Sequence, residues 1–436
     1  MPTPSTPGRR QPLPPPSAET TPGEAPAPWA APQPARGGNS GGGGKRGLLI
    51  AGLGILAVIL LVLGILVIGG DDDSGTPANE PVPGASVADL RRESPGHFDA
   101  GEPIPVTLQQ GDVSFLLTAV ADDQNELVAI ESVTDPDGEV IYAIDESGEL
   151  SGGLTDNFLE AEGEVSVLAP VHPGLDIRPG TYEVTTSVPA EATLLIKSGE
   201  AAADVPQFID LNLWRVSPDI DTTTLEQEVR ARVDEVLGNQ NLTVGSINLV
   251  EADPADVDRF AEIDEGQASE VCSAMTAAVG ESRSLDLAIL ESITKRDGGT
   301  LLGFSAGLPG SSPAPGVTKT CTLAATRGVE LPTFAATLVH EGSHFMGLTH
   351  TSEANGLLFD DFDDTGECDI SADGRDNDEL GIPGNPDGEV DEAECGETGG
   401  GNNYMFPSSG GLFPQDEMSP DQAWALRRHP LVYAAP

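Results

Sequence analysis

The feature that most constrains this chain is an eleven-residue segment that holds three of its six histidines. It reads HEGSHFMGLTH and spans residues 340–350. His340 and His344 are four residues apart, so a helix places both imidazoles on one face. Gly347 can adopt the left-handed backbone conformation that ends a helix and turns the chain sharply. The segment therefore predicts a helix whose end returns His350 to the other two histidines.

Three neutral imidazoles suit a zinc ion, which binds histidine nitrogen at about 2.0–2.1 Å. If His340, His344 and His350 are the ligands, a fourth position stays open for water, as in catalytic zinc sites. Glu341 directly follows the first histidine. Its carboxylate can reach a metal-bound water without being a ligand itself, which is the position of a general base. We interpret the segment as a catalytic zinc site.

This segment resembles the signature of the metzincin clan of zinc peptidases, HExxHxxGxxH followed by a methionine-containing turn. The stretch NYMFP at 403–407 is a candidate for that turn and is most similar to the matrixin branch. The resemblance covers about residues 203–436. It implies a zinc metalloendopeptidase in which Glu341 is the general base and Met405 lies beneath the three imidazoles. Pro407 occupies the position where some branches carry a tyrosine ligand, so no such ligand is implied here.

The same resemblance implies an α+β catalytic domain with a twisted mixed sheet, an active-site helix and a small C-terminal subdomain. It also implies an edge strand that holds substrate in extended form, and a pocket below the methionine turn. By position along the chain, we place the strand at 301–307 and the pocket at 406–413.

The pattern of apolar residues gives an independent outline of residues 203–436. A strand at 208–216, a helix at 225–237 and a strand at 243–250 predict a βαβ unit with a parallel strand pair. The motif lies on a predicted helix at 331–345. Ser419 and the following proline predict the start of a last helix.

Residues 96–202 are predicted to form an all-β sandwich, because short β-rich stretches recur along them. The stretches lie at 105–108, 113–120, 127–133, 140–144, 165–169, 181–188 and 192–197. Two interpretations of this module are open. It could bind substrate or a surface, or it could act as a spacer or folding aid, and we favour the second.

An uncharged apolar run occupies residues 47–70 and is long enough to cross a bilayer as a helix. Lys45 and Arg46 precede it, so we expect a single-pass membrane protein with a cytoplasmic N-terminus and an extracytoplasmic catalytic domain. Secretion after cleavage is the alternative. The Pro- and Gly-rich residues 1–46 are predicted to be a disordered tail, and residues 71–95 a linker.

The four cysteines contain no C-x-x-C pair, which argues against a zinc ribbon or a redox motif. An even number beyond an apolar segment favours disulfides. We pair Cys272 with Cys321 and Cys368 with Cys395, because sequential neighbours close the shortest loops. Sequence alone permits three pairings.

An acidic stretch at 360–395 separates His350 from the methionine turn. Carboxylates that alternate around glycines suit Ca²⁺, which takes six to eight oxygen ligands. No part of the stretch fits the twelve-residue EF-hand loop completely. A calcium site and a solvated acidic loop closed by a disulfide are therefore equally compatible with the sequence.

The formal net charge of −50 argues against nucleic acid as a partner, because an acidic surface repels phosphates. The expected partners are a protein or peptide substrate and, through the single apolar helix, a membrane. Two other functions stay open: a surface-binding or adhesion protein with an inert metallopeptidase fold, and a zinc amidase that acts on cell-wall material. The presence of Glu341 argues against an inert fold.

Overall fold

The computed structural model describes residues 89–434, and all of them belong to one compact unit. The predicted tail at 1–46 and the apolar run at 47–70 lie outside the described residues, as does most of the predicted linker. Within 89–434, the undescribed positions are 145–149, 153, 155–158, 176, 200, 218–219, 281, 297, 312–318, 355, 357, 369–389, 391 and 409–412.

No helix in the described part of the chain is long and apolar enough to cross a membrane. The longest, Thr222–Leu237, has 16 residues with polar side chains among them, whereas a spanning helix needs about 20 mainly apolar residues. The expected fold class and single-pass localisation are therefore corrected: the structure does not support a transmembrane helix or the topology that depended on it.

The first ten strands form two sheets. In one sheet the strand order is β1-β10-β3-β8, and in the other it is β2-β9-β4-β5-β6, with β7 beside β4. The strands are β1 (Leu90–Phe98), β2 (Ile104–Leu108), β3 (Asp112–Ala121), β4 (Leu127–Thr134), β5 (Val140–Ile144), β6 (Leu150–Gly152), β7 (Glu160–Glu162), β8 (Glu164–Ala169), β9 (Gly180–Thr186) and β10 (Ala190–Ser198).

The four-stranded sheet is buried on both faces. One face joins the other sheet in a shared apolar core, where Phe115 and Tyr182 meet with ring centroids 5.5 Å apart. Because side chains alternate along a strand, Ser114 and Thr118 lie on the opposite face of β3, and both are buried. The hydroxyl of Ser114 donates to the backbone carbonyl of Arg428. The C-terminal half of the chain therefore covers this face.

That C-terminal half contains a mixed sheet with the order β12-β11-β14-β18-β17. The first four strands are parallel, and β17 closes one edge antiparallel to β18. β19 pairs antiparallel with β11, and β13, β15 and β16 form a small separate sheet. The strands are β11 (Gln207–Arg215), β12 (Leu242–Glu251), β13 (Glu262–Asp264), β14 (Ser284–Leu290), β15 (Ser292–Thr294), β16 (Thr300–Leu301), β17 (Gly303–Ser305), β18 (Thr322–Ala325) and β19 (Tyr433–Ala434).

Helices cover both faces of the mixed sheet. They are α1 (Thr222–Leu237), α2 (Pro254–Phe260), α3 (Ala268–Val279), α4 (Leu331–Phe345), α5 (Glu392–Cys395) and α6 (Pro420–Arg428). Apolar side chains of α1 and α4 pack against alternate residues of the parallel strands on one face. Helix α3 packs on the other face. The observed strand–helix–strand opening agrees with the βαβ unit predicted from the sequence.

Both predicted disulfides are confirmed. Cys272 of α3 is joined to Cys321, which directly precedes β18, with an S–S distance of 2.03 Å. Cys368 is joined to Cys395 at the end of α5. The first bond ties a covering helix to the sheet, and the second closes the acidic stretch.

A polar ladder crosses three parallel strands on the face that α3 covers. The amide of Asn248 donates to Asn212 (3.1 Å), and the amide of Asn212 donates to a carboxylate oxygen of Asp286 (2.7 Å). Burial raises the pKa of Asp286 to about 7, while the hydrogen bond from Asn212 opposes that rise. The folded chain therefore favours the protonated carboxyl group.

We expect Asp286→Asn to stabilise the protein more at pH 8 than at pH 5. A folded-state pKa of about 7 against the ordinary 3.8 means that stability is lost as the pH rises through this interval. An amide avoids this loss, with an upper bound of ~4 kcal/mol at pH 8. Calorimetric melting of the variant checks this, with the exposed Asp204→Asn as control. An equal change in Tm at both pH values would contradict it.

Candidate metal centre

Helix α4 carries two of the predicted ligands and the predicted base. Its bounds, Leu331–Phe345, agree with those predicted from the sequence, and Pro332 lies in its first turn. His340 and His344 lie one turn apart, and their rings meet edge to face with centroids 4.7 Å apart. Glu341 follows His340 on the same helix, so all three side chains are fixed by one rigid element.

The chain reverses at Gly347, directly after α4. Its φ angle is +97°, in the region that glycine adopts without a Cβ penalty. The N–H of Gly347 donates to His344 (2.8 Å), and the N–H of Leu348 donates to Ser343 (3.0 Å), so the last carbonyls of the helix are satisfied. This reversal brings His350 back beside the other two histidines.

The three Nε2 atoms form an almost equilateral triangle. They are 3.2 Å apart between His340 and His350, and 3.1 Å apart from His344 to each of the others. A zinc ion bound at about 2.0–2.1 Å with tetrahedral angles would hold such nitrogens about 3.3 Å apart. The triangle therefore fits a zinc ion with three histidine ligands and one open position.

The other ring nitrogens show which tautomer each imidazole adopts. Nδ1 of His340 lies 2.7 Å from the carbonyl oxygen of Tyr404, and Nδ1 of His344 lies 2.6 Å from that of Leu348. Nδ1 of His350 lies 3.2 Å from a carboxylate oxygen of Glu353. Because carbonyl and carboxylate oxygens only accept, each Nδ1 is the donor. In the neutral imidazoles, all three Nε2 lone pairs then point into the triangle.

Burial keeps the rings of His340 and His344 neutral. Burial lowers the pKa of His340 to about 3, assisted by the neighbouring His350, and lowers the pKa of His344 well below its ordinary value. Burial would raise the pKa of Glu353, but the hydrogen bond from His350 and the nearby imidazoles bring it below its ordinary value. Metal ligation requires neutral imidazole, so the ring environment is suited to a metal.

The predicted methionine turn contacts His340 and the residue after His350 through its backbone. Besides the Tyr404 carbonyl on His340, the carbonyl of Met405 accepts the N–H of Thr351, the residue after His350 (3.2 Å). The side chain of Met405 is fully buried in the core that includes α4. The turn is therefore tied to the helix and to the segment after His350, and a position of the Met405 side chain beneath the imidazoles stays a prediction.

Tyr404 contacts the motif helix through both its hydroxyl and its carbonyl. Its hydroxyl donates to Oγ of Ser343 (3.1 Å), and that oxygen in turn donates to the carbonyl of Val339 (2.8 Å). Burial raises the pKa of Tyr404 well above its ordinary value. Its hydroxyl thus fastens the turn to α4 while its carbonyl orients His340.

A buried amide pair connects this turn with helix α6. The side chains of Asn403 and Gln422 exchange hydrogen bonds at 2.9 and 3.2 Å, and Asn403 also accepts the N–H of Met405 (2.9 Å). Gln422 and Ser419 form the capping box of α6. The sequence analysis found Ser419 as a cap, but it gave no sign that the cap also supports the metal centre.

Glu341, the residue after His340, lies against the edge strand β17. Its carboxylate accepts the backbone N–H of Ser305, and burial raises its pKa to about 8. A Cβ atom at Gly303 would lie 2.6 Å from Cγ of Glu341 and 2.9 Å from its Oε1. The absence of a side chain at Gly303 is therefore what allows the carboxylate to lie against the strand.

The remaining predicted features fall partly outside the described residues. The centre of the acidic stretch, 369–389, is one of the undescribed segments, so a calcium site there stays a prediction. The expected pocket at 406–413 includes the undescribed 409–412, while Phe406 is buried beside the Cys368–Cys395 disulfide. In the described part of the chain, His340, His344 and His350 form the one cluster that could hold a metal ion.

No protein-family model and no curated protein matches this chain. Among solved structures, it is similar to archaemetzincin from Methanopyrus kandleri, at 17% identity over 36% of this chain and 83% of that one, with a TM-score of 0.25. It is also similar to metalloproteinase-II from Bacteroides fragilis, at 15% identity over 39% of this chain and 55% of that one, with a TM-score of 0.24. These neighbours are metallopeptidases by name, but likenesses this low do not assign a family or support the matrixin branch. The functional proposal rests on the geometry of the site.

We expect Glu353→Gln to weaken zinc binding by roughly 10- to 100-fold, because it removes the charged acceptor that orients His350. Competition with a chromogenic chelator measures the zinc Kd. Glu367→Gln, which changes an exposed carboxylate on the same segment, is the matched control. Equal zinc affinity in the two variants would show that Glu353 does not support the site.

Proposed function

We propose that this protein is a zinc-dependent endopeptidase. The observation that carries the proposal is the convergence of three Nε2 atoms, from His340, His344 and His350. Three protein ligands with one open position are typical of catalytic zinc sites. Glu341 supplies the acid–base group that hydrolysis requires.

When bound, zinc supplies Lewis-acid chemistry, which activates water and stabilises developing negative charge on the carbonyl oxygen of the substrate. Glu341 takes a proton from the attacking water and delivers it to the leaving amine. Its pKa of about 8 in the metal-free site favours the protonated state, and a nearby cation favours the ionised base. Glu341 can therefore be ionised when it takes the proton from water and protonated before it delivers that proton to the leaving amine.

Strand β17 supplies a surface for an extended peptide. Leu302 and Ala306 direct backbone groups toward β18, through Ala325 N–H to Leu302 C=O (2.8 Å) and Ala306 N–H to Cys321 C=O (2.9 Å). Alternation along the strand then directs the backbone groups of Gly303 and the carbonyl of Ser305 to the open edge, while the N–H of Ser305 is held by Glu341. An exposed edge can bind a peptide as an additional strand. β17 lies within 301–307, the segment for which the sequence analysis predicted a substrate-binding strand, and we propose that it has this role.

We expect Glu341→Gln to lower kcat for a peptide substrate by roughly 10²- to 10⁴-fold, since a positioned general base contributes about that much. Zinc content should not change, because Glu341 is not a ligand. Peptide-library cleavage and metal analysis of the same preparations measure the two quantities. Glu330→Gln, an exposed substitution at the start of the same helix, should leave both unchanged.

Wild-type hydrolysis that persists in a zinc chelator, or in Glu341→Gln, would refute this mechanism. The same samples tested on cell-wall material distinguish a peptidase from an amidase, because only the substrate differs between the two assays. A chain that binds zinc and cleaves neither substrate would support the inert, surface-binding alternative.

We expect Gly303→Ala to reduce kcat while zinc remains bound. The added methyl group would lie 2.5 Å from a methyl of Thr337 and 2.6 Å from Cγ of Glu341, so the carboxylate must move away from the strand. Steady-state kinetics with metal analysis checks this expectation. An unchanged kcat would show that the contact between the base and the strand is not needed for turnover.

A further inference from the structure

The outer face of the four-stranded sheet contacts the part of the chain that carries the metal centre. We call the side chains of Ser114, Ser166, Leu168 and Lys197 the clamp face. All four are at most 3% exposed, although they lie on the side of the sheet opposite the sandwich core. Their partners belong to the C-terminal half of the chain.

One contact is made directly on the turn between His344 and His350. A Cβ atom built on Gly347 would lie 3.0 Å from Cδ2 of Leu168. Gly347 has no side chain with which to fix its own position, and its left-handed backbone allows the reversal described above. The side chain of Leu168 therefore occupies the space directly against this reversal.

A neighbouring contact reaches the end of helix α4. Oγ of Ser166 lies 2.8 Å from Oγ of Ser311, and the N–H of Gly310 donates to the carbonyl of Phe345 (2.9 Å). The short segment 310–311 thus lies between β8 and the last residue of the active-site helix. The sandwich contacts both the end of α4 and the turn that follows it.

A second route runs through helix α6. Nζ of Lys197 donates to the carbonyl of Arg427, and the hydroxyl of Ser114 donates to the carbonyl of Arg428. These carbonyls belong to the last turn of α6, which has no further helical N–H groups to satisfy them. The first turn of the same helix holds the methionine turn through Gln422 and Asn403. The clamp face therefore supports the metal centre from two sides.

We propose that the sandwich is part of the frame of the metal centre and that Leu168 is a positioning residue for His350. A working metal site holds its ligands within about 0.5 Å of the required geometry, and this requires other side chains to pack around the residues that bind the metal. Helix α4 fixes His340 and His344, whereas His350 reaches the site only through the Gly347 turn. Leu168 packs on that turn. This assignment differs from the spacer or folding aid favoured from the sequence, and it rests on the proposed zinc site.

The test compares two truncations of the same size in the full chain. Leu168→Ala removes the contact on Gly347. Leu117→Ala removes an equally buried leucine from β3, on the face that points into the sandwich core, and serves as the matched control. The zinc Kd is measured by chelator competition below the Tm of each metal-free variant. Both variants should melt at lower temperature than the wild-type chain.

Zinc binding should weaken only in Leu168→Ala, by roughly 10- to 100-fold, as for other residues that orient metal ligands. Leu168→Met, which keeps the volume, should restore the wild-type Kd, and the milder Leu168→Val replaces the alanine variant if that does not fold. Unchanged zinc affinity in the Leu168 variants would overturn the proposal, as would equal weakening in Leu117→Ala. A wild-type chain that binds no zinc would refute the proposed metal centre itself.

Discussion

The site depends on three ring nitrogens whose lone pairs point at one another. Such an arrangement is electrostatically unfavourable unless a cation or a proton lies between them. It persists because each imidazole is held from its other nitrogen, by the carbonyls of Tyr404 and Leu348 and by the carboxylate of Glu353. The carbonyl of Leu348 follows the Gly347 turn, and the carbonyl of Tyr404 belongs to the methionine turn. Glu353 lies three residues after His350. Much of the C-terminal half can therefore be understood as support for this triangle.

The parts of this support that depend on local sequence were predictable. The bounds of α4 follow from its apolar face and from Pro332 near its start, and the reversal follows from the glycine that ends the helix. Ser419 was recognised as a cap because an oxygen side chain before a helical pattern satisfies the first free N–H groups. The disulfide pairing followed from loop length. The helix signals act over a few residues, and the disulfide pairing depends only on the length of chain between the cysteines.

The parts that depend on distant contacts were not predictable. Asn403 matters because Gln422 reaches it from another helix, and nothing in the sequence near either residue indicates this. The first six residues of β1 were assigned to a linker, yet Arg91 is held by Asp112 of β3, two strands away in the same sheet. The transmembrane helix was inferred from an uncharged apolar run and its flanking charges, and no helix in the described residues is long and apolar enough to cross a membrane.

The bare backbone at Gly303 has a consequence for selectivity. A peptide that lies along β17 would meet main-chain atoms beside Glu341, since a side chain at that position would collide with the base. Backbone groups recognise the peptide unit, which every substrate shares, and so discriminate little between amino acids. Discrimination must then come from side chains farther along the cleft. In the proposed peptidase, Gly303 would therefore favour broad substrate selectivity, and changes in selectivity would arise from residues outside the metal centre.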